Sequence, residues 1–382
     1  MSDNKKKILI LIEWFAPGYK AGGPIQSCIN MCIALHFQYD VYVLTTDTDH
    51  GDTKPYPGIC TNQWVPYNLD AVQVWYAPKS SFTGSEMLAV MEKVQPDFIY
   101  LNLLFSPLFV IYPLWLKLTG KLQCKVILCP RGCLYDSALN LKWYKKKPLL
   151  LLYKYLGVHK KICFHATNAR EQLAIEKYFP GSKIVVADNL PNTNQPVFKT
   201  CVKEAGILKC IFIARIVPIK NLLFLLEVLH LVKSTIELTI VGPVENEDYW
   251  QNCNTSIKKL PPNISVNYAN AIQQTELSSI IQLHHLFILP TTGENFGHSI
   301  FEALLCGRPV LISDQTPWQQ LSNQQAGWDL PLSARQKFVE VIEHLAAANQ
   351  VQFNKYANGA WQYAHHFIKN SVAKQQYINM FI

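Results

Sequence analysis

What most limits the folds open to this chain is a rhythm. Short, almost continuous apolar runs recur along it, each followed by a stretch with apolar residues at helical spacing. Over roughly the first 190 residues the runs are KILILI, DVYVLT, AVQVWYA, DFIYLN, KVILCP, KICFHAT and KIVVADN. Runs this uniformly apolar suit strands buried on both faces, and alternation with helices makes those strands parallel neighbours in a doubly wound sheet. Residues 189–200, NLPNTNQPVFKT, are rich in Asn, Pro and Thr and read as a linker. A second alternating set follows: CIFIAR, a helix over NLLFLLEVLHLV, ELTIVG, NISVNYA, a helix near TELSSIIQL, LFILP, a further helix and PVLIS. The fold class is therefore α/β, with two Rossmann-like parallel-sheet domains whose strand edges face across a cleft. The expected divisions are a first domain over 1–188, the linker over 189–200, a second domain over 201–355, and C-terminal helices over 356–382 that pack back toward the first domain.

A chain of 382 residues, 49% hydrophobic, exceeds one ordinary domain and can bury a sizeable core. Its longest lipid-like run, residues 103–116, has 14 residues and two prolines, short of the roughly 20 needed to cross a bilayer. The opening KKKILILI has the lysines of an export signal, yet its apolar core is only about six residues long and no small-residue cleavage site follows, so it reads as a first strand. Eleven cysteines without a Cys-x-x-Cys pair read as reduced thiols of a cytosolic protein, with no zinc site.

Net charge is +8, from 35 basic and 27 acidic residues, and it is unevenly placed. Residues 137–170 hold Lys142, Lys145, Lys146, Lys147, Lys154, Lys160, Lys161 and Arg170 with no Asp or Glu, so this window carries the whole excess. Its lysines are interleaved with Leu, Tyr and Trp, a make-up that fits an anionic membrane surface better than nucleic acid. A solvated helix face has the same composition.

Candidate chemistry gathers in the second half. LFILP is a buried-strand pattern, and Ile300, Phe301, Leu304 and Leu305 recur at helical spacing beyond it. Glu294 therefore sits in the loop at a strand's carboxyl end, and Glu302 in the helix that follows. In an open α/β sheet that edge is where ligands bind, and two carboxylates there could accept hydrogen bonds from the hydroxyls of a sugar or ribose. A solvated loop carboxylate and an ordinary helix glutamate fit the same positions. Arg215 and Lys220 occupy the loop after CIFIAR, where a guanidinium and an ammonium beside free backbone N–H groups suit a diphosphate. Gly242 ends ELTIVG, where a small residue lets a ligand approach the backbone. Gly297 and His298 open the Glu302 helix, whose amides could face phosphate.

The set Arg215-x4-Lys220 and Glu294-x7-Glu302, with FGHSIFEALLCGRPVL, resembles the retaining, nucleotide-sugar-dependent glycosyltransferases of family four, which have the two-domain GT-B fold. SDQTPWQQL and AGWDLPL resemble a subgroup that assembles polysaccharides. The resemblance implies that Glu294 contacts donor-sugar hydroxyls, that Glu302 holds the ribose, and that Arg215 and Lys220 neutralise the diphosphate leaving group. Arg215, Lys220 and Glu294 are then the catalytic set. Donor contacts fall to Gly22, Gly23, Gly242, Asn295, Phe296, Gly297, His298 and Glu302. In YKAGGPIQS, Gly22 and Gly23 match the family's glycine-rich loop, and Pro24 suits a helix start. CPRGCLYDSAL matches a segment in which many relatives carry a histidine near the reacting carbon. Here Arg131 takes that place, as an acceptor-side cation or a brace of its loop. His165 reads as structural, and Lys145, Lys146 and Lys147 as acceptor-side candidates. The resemblance implies chemistry that needs no metal and no cofactor beyond the nucleotide-sugar co-substrate. The expected enzyme is cytoplasmic, held peripherally against the inner face of the membrane, and extends a lipid-linked glycan. A transferase with a soluble acceptor and a non-catalytic sugar-nucleotide-binding protein are the alternatives.

Overall fold

The structure is a computed structural model describing residues 5–68, 71–140, 143–192 and 196–382. Lys142 of the basic window and residues 193–195 of the expected linker lie outside the described residues. The chain forms two compact units, 1–190 with 372–382, and 191–371.

The first unit holds strands β1 (Lys7–Leu11), β2 (Asp40–Thr46), β3 (Trp64–Tyr67), β4 (Val72–Ala77), β5 (Phe98–Asn102), β6 (Lys125–Cys129), β7 (Cys163–Ala166) and β8 (Lys183–Val186). They make one sheet in the order β3-β4-β2-β1-β5-β6-β7-β8, parallel except where β3 pairs antiparallel with β4. Because strand side chains alternate between faces, β1 feeds two cores. Ile8 and Ile10 pack with Cys28, Met31 and Leu35 of the helix Gly23–Leu35, while Leu9 and Leu11 pack with Met87, Val90 and Met91 of the helix Gly84–Val94. The helix Ala373–Met380 belongs to the first of these cores through Tyr377, Met380 and the following Phe381, all essentially unexposed. Burial of each such side chain is worth about 2 kcal/mol.

The second unit holds β9 (Ile207–Ile213), β10 (Thr235–Val241), β11 (Ile264–Tyr268), β12 (Leu286–Leu289), β13 (Val310–Ser313) and β14 (Gly327–Leu330), all parallel, in the order β11-β10-β9-β12-β13-β14. Every apolar run read as a strand is a strand. The divisions differ in place. The units part at Leu190/Pro191, and again at Ser371/Val372 rather than at 355/356. The reason is local: Gln350–Asn370 is one continuous helix, started by a capping box between Asn349 and Gln352, so the chain has no break near 356.

Most lysines of the basic window lie on a helix, Trp143–Tyr155, with Pro148 inside it, and on the short helical turn after it, Val158–Lys161. Leu150 and Tyr153 anchor it, while Trp143, Tyr144, Leu151, Leu152, Tyr155 and Leu156 are exposed. Among the described residues no helix is long and apolar enough to cross a membrane.

Candidate functional site

In the second unit the chain runs outward from β9 to β10 and β11 on one side, then returns to β12 on the other. The carboxyl ends of β9 and β12 therefore flank a topological switch point, the kind of edge at which open α/β sheets bind ligands. The β9 loop (214–221) and the β12 loop (290–297) meet there. Thr292 N donates to Ile219 O at 2.8 Å and Thr291 Oγ1 to the same carbonyl at 2.9 Å. Between the fastened loops Lys220 Nζ donates to Glu294 Oε1, with side chains only 16% and 12% exposed.

Arg215 pairs with Glu245, and these side chains are 33% and 36% exposed. Such a surface pair adds at most about 1 kcal/mol. The backbone beneath it is more firmly held. Ile216 bridges Val244 in parallel, and Ile216 N donates to Pro243 O at 2.9 Å. Gly242 makes that closure possible: with φ +143, a Cβ there would collide with the carbonyl oxygen of Ala214. The close approach at Gly242 is thus made by the chain's own β9 loop.

Gly297, at φ +81, caps the helix His298–Leu305, and His298 lies against Phe296 with ring centroids 4.7 Å apart. Trp318 Nε1 donates to Phe296 O at 2.6 Å and Gln315 O accepts from Glu294 N at 3.1 Å, so the segment after β13 sets the Asn295–Phe296 turn from behind. Glu302 is 6% exposed, and Gln274 Nε2 donates to its carboxylate. Burial pushes the Glu302 carboxyl up to about 7, against the opposing bond from Gln274.

That shift has a sign. A carboxyl whose folded value lies above its unfolded one contributes stability that is complete below about 4.5 and is lost as pH rises through about 7. The rise from 4.5 to about 7 corresponds to at most about 3 kcal/mol. Glu302→Gln should therefore stabilise the second unit at pH 8 and make little difference at pH 5, read as unfolding midpoints. Equal effects at both values would show that the carboxyl titrates normally.

The first unit presents its own switch point, where β1 is flanked by β2 and β5. Gly22, at φ +71, precedes the helix that begins at Gly23, with Pro24 in its first turn. Asp49, 4% exposed, holds this loop by accepting from Tyr19 N at 2.8 Å and Lys20 N at 3.2 Å. Arg131, at φ +49, follows β6 and turns inward. It donates to Asn102 Oδ1 at 2.8 Å, Asn189 Oδ1 at 3.1 Å, the Tyr100 hydroxyl at 3.4 Å and Cys28 Sγ at 3.8 Å. These bonds make it a brace between the ends of β5, β6 and the segment after β8. His165 is unexposed, with Nε2 2.7 Å from Ala187 O and Nδ1 2.6 Å from Tyr100 OH. Burial drives it down to about 3, so the ring is neutral, donating through Nε2 and accepting through Nδ1. Lys145 and Lys147 lie over Tyr144 and Trp143, while Lys146 lies over Phe105 and donates to Ala138 O at 2.7 Å.

The structure thus brings Arg215, Lys220, Gly242, Glu294–His298 and Glu302 to one sheet edge, and places Gly22, Gly23, Arg131 and the lysines in the first unit. Sequence reasoning missed Glu245, Gln274 and Trp318. Glu245 had a signal, three residues beyond the strand-ending Gly242 as Arg215 lies just beyond β9. Among the described residues no group of three or more His, Cys, Asp or Glu side chains could hold a metal ion.

Two α/β units, each with a sheet wound both ways from its first strand and the second carrying paired cations and carboxylates at its switch point, define the GT-B class of fold. Residues 208–348 match the family model described as Glycosyl transferases group 1. No curated protein sequence matches the chain. Among solved structures, sucrose-phosphate synthase from Thermosynechococcus elongatus is similar with a TM-score of 0.74 at 14% identity, over 99% of this chain and 98% of that one. HepE of Anabaena, in complex with UDP and glucose, is similar with a TM-score of 0.69 at 15% identity, over 98% and 99%. WaaG, a glycosyltransferase involved in lipopolysaccharide biosynthesis, is similar with a TM-score of 0.63 at 12% identity, over 98% of each chain.

Proposed function

We propose that this chain is a retaining glycosyltransferase that moves a sugar from a nucleotide-sugar donor to a growing, lipid-linked surface glycan. The observation that carries the reading is the meeting of Lys220 and Glu294 at the β9/β12 switch point, with Arg215 on the same loop and Glu302 on the next helix. The family match over 208–348 and the UDP and glucose bound by HepE support it. In this reading Arg215 and Lys220 hold the diphosphate, Glu294 receives hydroxyls of the sugar, and Glu302 receives the ribose. The bond from the anomeric carbon to the β-phosphate oxygen breaks while the acceptor oxygen bonds to the same carbon on the same face. The acceptor's proton passes to the departing phosphate. Charge develops on the diphosphate, so cations already fixed beside it do most of the work of catalysis. Two such cations supply the neutralisation that a divalent metal supplies elsewhere.

The acceptor is assigned to the first unit. The exposed Trp143, Tyr144, Leu151, Leu152 and Tyr155 among lysines support contact with an anionic inner leaflet. A soluble acceptor remains the second reading, favoured by the likeness to sucrose-phosphate synthase.

The test is transfer and donor hydrolysis screened across UDP-, GDP-, ADP- and TDP-sugars in excess EDTA. One donor should turn over at an undiminished rate, and the product should keep the donor's anomeric configuration by NMR. No turnover of any donor, with or without added Mg²⁺ or Mn²⁺, would remove the enzymatic reading in favour of a binding protein. Complete loss on chelation, restored by metal, would show that Arg215 and Lys220 do not suffice.

A further inference from the structure

The side chains that the proposed reading sets on opposite parts of the donor, Lys220 on phosphate and Glu294 on sugar, are bonded to each other. Their backbones are fixed independently of that bond. Lys220 N donates to Val217 O at 3.0 Å, and Glu294 N to Gln315 O at 3.1 Å. The pair is also the drier of the two at this edge, at 16% and 12% exposure against 33% and 36% for Arg215 and Glu245. Solvent screens it correspondingly less.

We infer that Glu294 competes with phosphate for Lys220, and that this competition makes the site favour intact nucleotide sugar over the nucleoside diphosphate left after transfer. The inference rests on the proposed donor reading. A nucleotide sugar satisfies both members of the pair when it separates them, since its phosphate accepts from Lys220 and its sugar hydroxyls donate to Glu294. A nucleoside diphosphate satisfies only Lys220. It leaves a mostly buried carboxylate without its cation and beside a second anion, an arrangement that is costly in a low-dielectric setting. Glu294 thus penalises the product far more than the donor. As the product departs, the carboxylate recovers Lys220.

The experiment is equilibrium binding by calorimetry of UDP, GDP, ADP and TDP, and of the matching nucleotide sugars, to wild type, Glu294→Gln, Lys220→Met and the double variant. Glu294→Gln should bind the preferred nucleoside diphosphate about tenfold more tightly than wild type, the scale of one charge-assisted hydrogen bond. Its affinity for the nucleotide sugar should stay level or fall, so the preference between the two narrows or inverts. In the Lys220→Met background the same substitution should give much less tightening, because the contested ammonium is gone. Glu294→Ala should change diphosphate binding in the same direction, which guards against a folding defect peculiar to the amide. Unchanged or weaker diphosphate binding by both Glu294 variants overturns the inference, as does equal tightening with and without Lys220, which would mark a general field effect. If wild type binds none of the four diphosphates and none of the matching nucleotide sugars, the donor reading itself fails.

Discussion

Replacing Lys220 by alanine should lower turnover at saturating donor by about 10²–10³-fold, the usual cost of deleting one fixed donor at a site of developing charge. Lys220 is the better held of the two cations, mostly buried and set between two loops that are bonded to each other. The loops that carry it are fixed in folding, so in the proposed reading a bound donor has only to draw the side chain from Glu294 for Lys220 to face the departing diphosphate. In the proposed reading Glu294→Ala should lose turnover on a similar scale, because the sugar loses an acceptor for its hydroxyls. Arg215→Ala should lose less, since that side chain is a third exposed and water can replace part of its effect. The loss should fall on kcat more than on KM if the contacts strengthen toward the transition state. Near-normal turnover in both the Lys220 and Glu294 variants, with unchanged circular dichroism, would sink the site assignment.

Most of the fold is legible because its strands are buried on both faces, which leaves their apolar runs unbroken. Leu286–Leu289 and Val310–Ser313, for example, are buried at every position. The two strands absent from the sequence reading are edge strands. β3 carries Pro66, which removes a backbone donor and is tolerated at a sheet edge. β14 begins at Gly327 and has one buried residue of four, so it lacks an apolar run. The site was legible to the extent that strand–loop–helix order places residues at a sheet edge, which is enough for Arg215, Lys220, Glu294 and Glu302. Pairing between distant loops is not encoded in that order. Glu245 reaches Arg215 only because Gly242 lets the β9 and β10 loops close on each other, and Gln274 reaches Glu302 from another helix. Arg131 shows the same limit: the family resemblance left it either an acceptor-side cation or a brace of its loop, and only the folded chain directs its guanidinium onto Asn102 and Asn189.

Reversing Lys145, Lys146 and Lys147 to glutamate should release the protein from anionic vesicles. A lysine near such a surface contributes about 1 kcal/mol, so three together are worth about 3 kcal/mol, or roughly a hundredfold in partitioning, before repulsion by the new carboxylates is added. The structure separates two parts of this surface. Lys145 and Lys147 are exposed and lie over Tyr144 and Trp143, whereas Lys146 also supports Ala138 O and packs on Phe105. A Lys145→Glu/Lys147→Glu double variant spares that internal bond and should still lose most of the attachment, which keeps the charge effect distinct from local damage. High salt should weaken binding of wild type without abolishing it, because screening acts on the lysines and not on exposed Trp143, Leu151, Leu152 and Tyr155. Turnover on a lipid-linked acceptor should fall far more than donor hydrolysis in the same variants, since Lys220 and Glu294 belong to the other unit. Vesicle flotation of wild type at low salt decides the matter. Protein that stays with the soluble fraction would make these lysines a solvated face, and the soluble-acceptor reading would then take precedence.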